Sequence, residues 1–189
     1  LFPILIISLF STSIFALLQS GLPLDLVQGS PLRPALNESI SGLILSLQLG
    51  LILLFQWPIG KYLSNKNVIY GLRLSLTFLG IGCLFLSLSS KLTHGIYLII
   101  IALISIAIGL TSFLPTATEG IVQASSKSNR GIAMALFSQC FGISAVIAPI
   151  TAGKILDHMG DGFTLWLSLA IISFCLIPLN NNINLMKSK

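Results

Sequence analysis

Six apolar stretches, each long enough to cross a lipid bilayer and almost free of charge, follow one another through the chain with short polar connections. A hydrocarbon core about 30 Å thick is spanned by about 20 residues of helix at 1.5 Å rise per residue. Inside lipid the backbone has no water to bond, so such segments satisfy their N–H and C=O groups as helices. The stretches lie at residues 1–19, 40–59, 68–88, 95–115, 131–155 and 163–179. They predict an all-α membrane protein of six transmembrane helices. Composition agrees, because 54% hydrophobic and 8% charged residues leave too little charge for a water-facing surface.

Local signals punctuate the pattern. Gly21-Leu22-Pro23 predicts the end of the first span and the start of the longest connection, which carries Asp25, Pro31, Arg33 and Pro34. Asn37-Glu38-Ser39 offers capping oxygens and an acidic first turn to the second helix. Pro58 and Gly60 mark its exit into a basic turn at 61–67, and Pro115 marks the end of the fourth span before a connection over 116–130. With six spans both termini share one side. That side receives Lys61, Lys66, Arg73, Lys127, Arg130, Lys187 and Lys189, seven of the ten basic residues, whereas Arg33, Lys91 and Lys154 fall on the other. Basic residues near span ends are retained in the cytoplasm, so the count predicts cytoplasmic termini in a plasma (inner) membrane protein. Trp57, Tyr62 and Tyr70 would then belong to the inner aromatic belt, and Tyr97 and Trp166 to the outer one.

The net charge of +5 is scattered and contains no basic run, which argues against nucleic acid as a partner. Cys83, Cys140 and Cys175 sit in apolar runs without CxxC or Cys/His spacing and read as small core residues. No metal, cofactor or catalytic residue is expected. The chain opens at Leu1 within an apolar stretch, with no initiator Met or basic leader, and is expected to be part of something longer.

Two motifs carry a family resemblance. The first is Pro58-Ile59-Gly60-Lys61-Tyr62-Leu63-Ser64-Asn65-Lys66-Asn67, a proline and glycine closing one helix before a short basic turn. It resembles the G-x-x-x-D-R-x-G-R-R loop between the second and third helices in each half of a major facilitator superfamily (MFS) transporter. Gly60 and the basic Lys66 match, while Ser64, Asn65 and Asn67 replace the acid, the arginine and the second glycine. The second runs from Arg130-Gly131-x-Ala133 through Gly142 to Ala148-Pro149-x-x-Ala152-Gly153. It resembles the fifth helix of such a half, R-G-x-A/G ahead of G-P-x-x-G-G, with alanines for two of the glycines. Ser144, Ala148 and Ala152 recur every four residues as one small face beside Ala145, Pro149 and Gly153, where another helix can approach closely.

The weakened loop motif, and the lack of an arginine within the fourth span, favour the carboxy-terminal six-helix half of a twelve-helix transporter. The resemblance then implies a missing amino-terminal half as partner, the bilayer as surroundings and a small-molecule substrate. Helices one, two, four and five of a half line the central path in this family, and three and six face lipid. Polar groups at membrane depth are costly and tend to face a cavity or another helix. Gln48, Gln139, Ser138, Thr111 and Ser11 are therefore the substrate-cavity candidates, with Gln56, Gln19 and Ser112 beside them. Glu119 is placed to pair with Arg130, or with Arg73, at the inner face.

The implied function is secondary active transport by alternating access of two halves about a midplane site. No G-x-x-x-x-G-K-[ST] loop occurs, so an ion gradient is the expected driving force; coupling to protons would need a titratable group in the cavity, and no span offers one at depth. The alternatives are a non-transporting scaffold or truncated remnant, and an intramembrane serine protease using Ser144 with His158. The last is disfavoured, because 14 residues along one helix separate the pair by about 21 Å.

Overall fold

The computed structural model describes residues 1–180, and every long element in it is a helix: α1 (Phe2–Gln28), α2 (Glu38–Leu63), α3 (Val68–Ser89), α4 (Ile96–Gln123), α5 (Arg130–Met159) and α6 (Phe163–Leu179). A single 3₁₀ turn, Lys127–Asn129, precedes α5. The first five are long and apolar enough to cross a membrane. With 17 residues, α6 reaches about 26 Å, at the short end of what a span requires.

Five of the six helices run longer than the sequence signals predict. α1 continues through Pro23 to Gln28, α2 through Pro58 to Leu63, α4 through Pro115 to Gln123 and α5 through Pro149 to Met159, and α3 gains one residue at Ser89. A proline inside a helix removes one N–H bond and crowds the preceding turn. In lipid, ending the helix there would expose far more unpaired backbone, so the helix continues. Asp25 and residues 116–123 are thus helical rather than parts of connections. The cap expected at Asn37 forms, its Oδ1 accepting from Ile40 N at 2.8 Å; α5 is closed by Gly160 in the left-handed conformation (φ 72°), an ending not expected from the sequence.

α3 is the inner spine of one side, packed between α4 and α6, while α1 lies along α5 and α2 along α4. Two apolar cores fill the bundle. One joins Leu22, Leu79, Leu86, Leu103, Ile106 and Trp166; the other joins Ile4, Ile7, Leu72, Phe113, Ile121 and Phe137 nearer the Leu1 end. The α3–α4 contact is close enough that a Cβ on Gly109 would lie 2.8 Å from Leu79 Cγ. By contrast, only 17% of the most apolar window of α2 is buried, and 28% of that of α5, against 61% for α4. Leu43, Leu53, Leu54 and Trp57 on α2, and Ile132, Val146 and Ile150 on α5, are exposed.

At the end of the bundle opposite Leu1 a buried charge pair fastens three helices. Asp25 is fully buried and Arg33 is 2% exposed. Arg33 Nη2 donates at 2.8 Å to both Asp25 Oδ1 and the Asp25 carbonyl, and Nη1 donates to Ser89 Oγ on α3 at 3.0 Å. The second carboxylate oxygen, Asp25 Oδ2, accepts from Trp166 Nε1 on α6 at 2.9 Å. A methyl group on Gly162 would collide with this carboxylate. Ser30 ties the same loop to the carbonyl of Ser90 at 2.6 Å, and Lys91 bridges to Asp161 at 3.0 Å.

Trp166 is therefore a buried hydrogen-bond donor and not the interfacial anchor that its position suggested. Tyr62 and Tyr70 do cluster, with hydroxyls 2.9 Å apart, and Lys66 Nζ stands over both rings at 5.5 and 5.8 Å. Cys83 and Cys140 are buried as expected, but Cys175 is exposed on α6.

Removing one partner of a buried ion pair strands the other in a medium that cannot solvate it. We expect Asp25→Asn or Arg33→Met each to cost about 3–5 kcal/mol, and the double variant Asp25→Asn/Arg33→Met to cost less than the sum. Melting of the four proteins in detergent measures both quantities.

Candidate functional site

A cavity of about 660 Å³ opens among four helices. α1 contributes Ser11, Thr12 and Phe15; α2 contributes Ile52, Gln56 and Gly60; α5 contributes Phe141. The long wall is α4, from Leu110 and Thr111 through Phe113, Leu114 and Pro115 to Thr118, Glu119 and Val122. No residue of α3 or α6 lines it. The volume suits a small organic molecule.

The walls are apolar, and most of the polar groups are already engaged. Thr111 Oγ1 donates to Ala107 O and Thr118 Oγ1 to Leu114 O, each at 2.8 Å. Thr12 Oγ1 donates to Ser8 O at 2.8 Å. Ser11 differs: it is fully buried and its hydroxyl has no partner among the described residues.

Of the five expected cavity residues, the structure brings Ser11 and Thr111 to the cavity wall. Gln48 is 2% exposed with neither amide atom partnered, on the inward face of α2 with Ser41 and Ile44 and outside the cavity lining. Ser138 and Gln139 lie on the exposed face of α5, and Ser138 Oγ donates to Met134 O at 3.1 Å. The period of α5 explains this: its inward positions are Ala133, Phe137, Cys140 and Ser144, and residues 138 and 139 fall between them. Gln56, expected beside the five, also lines the wall, and Glu119 joins it there. Glu119 was expected in the connection after Pro115, yet it lies within α4 because that helix passes the proline. It places a carboxylate on the cavity wall, exposed and in the last turns of α4 rather than at membrane depth.

The expected Glu119–Arg130 pair is not formed. Glu119 Oε1 accepts from Gln123 Nε2 at 2.8 Å on its own helix, and among the described residues no ion pair joins it to Arg130. Lys187 and Lys189, counted for sidedness, lie outside the described residues.

The small face of α5 packs as its spacing indicates. Ser144, Ala148 and Ala152 are buried against α1, where a Cβ on Gly21 would come 3.1 Å from Ala152 Cβ. Ser144 Oγ lies 2.8 Å from Thr12 Oγ1, 3.0 Å from Ser13 Oγ and 3.2 Å from Leu9 O. This hydroxyl is enclosed by hydrogen bonds from the neighbouring helix, and His158 is far along the same rod. The adjacent face is open: at Gly142 and Gly153, as at Gly60 and Gly131, an added Cβ would meet nothing within 4 Å. Arg130 begins α5 at an exposed position, and Pro149 lies inside the helix.

The profile of the Major Facilitator Superfamily matches residues 1–180, nearly the whole chain. The chain belongs to the Major Facilitator Superfamily. It is accordingly an integral, multi-pass membrane protein of a transporter family, not one of enzymes, and the all-α, six-helix architecture is that of the expected half-bundle. No curated protein and no solved structure gives a significant match.

Interhelical hydroxyl bonds in membrane proteins contribute modestly. We expect Ser144→Val to cost about 1–2 kcal/mol in detergent melting, since it removes the cluster and adds bulk against α1. Ser138→Ala, on the open face, should leave the melting temperature within error.

Proposed function

We propose that this MFS protein carries a small organic solute across the membrane by alternating access, with the cavity between α1, α2, α4 and α5 as one half of its binding site. The observation that supports this reading is the division of labour among the helices. Four enclose a solute-sized space, while α3 and α6 stand outside it, α3 packed between α4 and α6.

The exposed faces of α2 and α5 flank the cavity and fit a second six-helix half, and the weakened loop motif favours an amino-terminal position for it. Open glycines at 42, 50, 142 and 153 leave room for close approach of its helices. Rocking of the two halves about the shared cavity would expose it to either side in turn. An ion gradient supplies the work in this scheme. Five of the seven basic residues expected on the cytoplasmic side are described, and they cluster at the Leu1 end, which supports cytoplasmic termini in a plasma (inner) membrane protein.

The full-length protein reconstituted in vesicles is expected to move at least one member of a solute panel under an imposed gradient. Thr111→Trp, which fills the cavity from its long wall, should abolish that movement while leaving melting little changed. Cysteines placed at Asn65 and Ser128 should label with an impermeant thiol reagent from the same face. Labelling from opposite faces would overturn the arrangement.

A further inference from the structure

The hydroxyl protons of the cavity point to the kind of solute it takes. A threonine hydroxyl has one proton and two lone pairs. Thr111 and Thr118 spend that proton on their own helix, so each presents only acceptor capacity to the space. Among the described residues Glu119 is the one charged residue lining the cavity; it is exposed, near the end of α4, and its Oε1 accepts from the Gln123 amide. Ser11 brings a buried hydroxyl with no partner, which needs a ligand or water to complete it. Gln56 and Ser11 can donate as well as accept, so what distinguishes the wall is the one negative charge that Glu119 brings to an otherwise apolar lining.

Among the described residues no ion pair is formed by Glu119, and Lys66 lines a smaller adjoining pocket with it. Lys61 Nζ stands 5.4 Å over the Trp57 ring and Lys66 Nζ lies over Tyr62 and Tyr70; neither residue lines the cavity. Three phenylalanines, Phe15, Phe113 and Phe141, supply apolar surface and π faces that attract a cation rather than an anion.

We propose that the solute is an amphipathic organic ammonium ion, its apolar body held among Phe15, Phe113 and Phe141 and its N–H groups directed to Glu119. This rests on the transport reading above and names its substrate class. Three probes of one skeleton test it: 1-naphthylmethylammonium, 1-naphthylmethanol and 1-naphthoate, followed by naphthalene fluorescence on the full-length protein in vesicles.

The ammonium probe is expected to bind at least about tenfold more tightly than naphthoate, as a charge-assisted hydrogen bond implies. Glu119→Gln should remove most of that preference and spare naphthylmethanol. Glu119→Lys should invert the preference, a gain that misfolding could not produce. Equal binding of the ammonium and carboxylate probes, or no response to either substitution, would overturn the assignment. Binding of the ammonium probe without movement across the vesicle would leave the charge assignment standing and overturn the transport reading. Movement of naphthoate alone would do the reverse.

Discussion

Lipid offers a membrane bundle no hydrogen bonds, and the backbone above all must find its partners within the protein. Much of the structure follows from that demand. Helices run through Pro23, Pro58, Pro115 and Pro149 because stopping would cost more unpaired backbone than the proline removes. Serine and threonine hydroxyls turn back onto carbonyls one turn earlier, as at Ser8, Ser20, Thr116 and Ser125. Asp25 and Arg33, at the end away from Leu1, join a network in which both oxygens of Asp25 and both Nη atoms of Arg33 are engaged.

The same demand sorts the helices. α3 packs through small residues against α4 on one side and α6 on the other, and is the spine of a dense block. α2 and α5 offer glycines and large aliphatic side chains to open space. A helix whose glycines touch nothing is poorly explained by lipid alone, since loosely packed acyl chains gain little from a backbone groove. Close packing against another helix gives those positions a use, and α1 already packs in this way on the other face of α5 at Ser144, Ala148 and Ala152.

The number, order and type of helices were legible because apolar runs of bilayer length admit few structures. The small face of α5 was legible because a four-residue spacing is a direct statement about one side of a helix. Helix ends were not: proline was read by its behaviour in water, and this misplaced Asp25 and Glu119 into connections. That error hid the two carboxylates of greatest consequence, one in the fastening network and one in the cavity wall. Trp166 was hidden for a related reason, because an indole near a span end looks the same in sequence whether it meets lipid headgroups or a buried acid. The choice between Ser11 and Ser138 needed the rotation of each helix about its axis, which nearly uniform hydrophobicity leaves undetermined.

The spacing of the charge pair also bears on how the chain enters the bilayer. Asp25 and Arg33 are eight residues apart and leave the ribosome almost together, whereas Ser89 and Trp166 follow only after two and five further helices have begun. The acid and the guanidinium can therefore neutralise each other while the first hairpin is being inserted, before the indole and hydroxyl exist to receive them. Assembly can proceed in synthesis order without leaving a naked carboxylate in oil, and arrival of the sixth helix completes a shell around a pair already made.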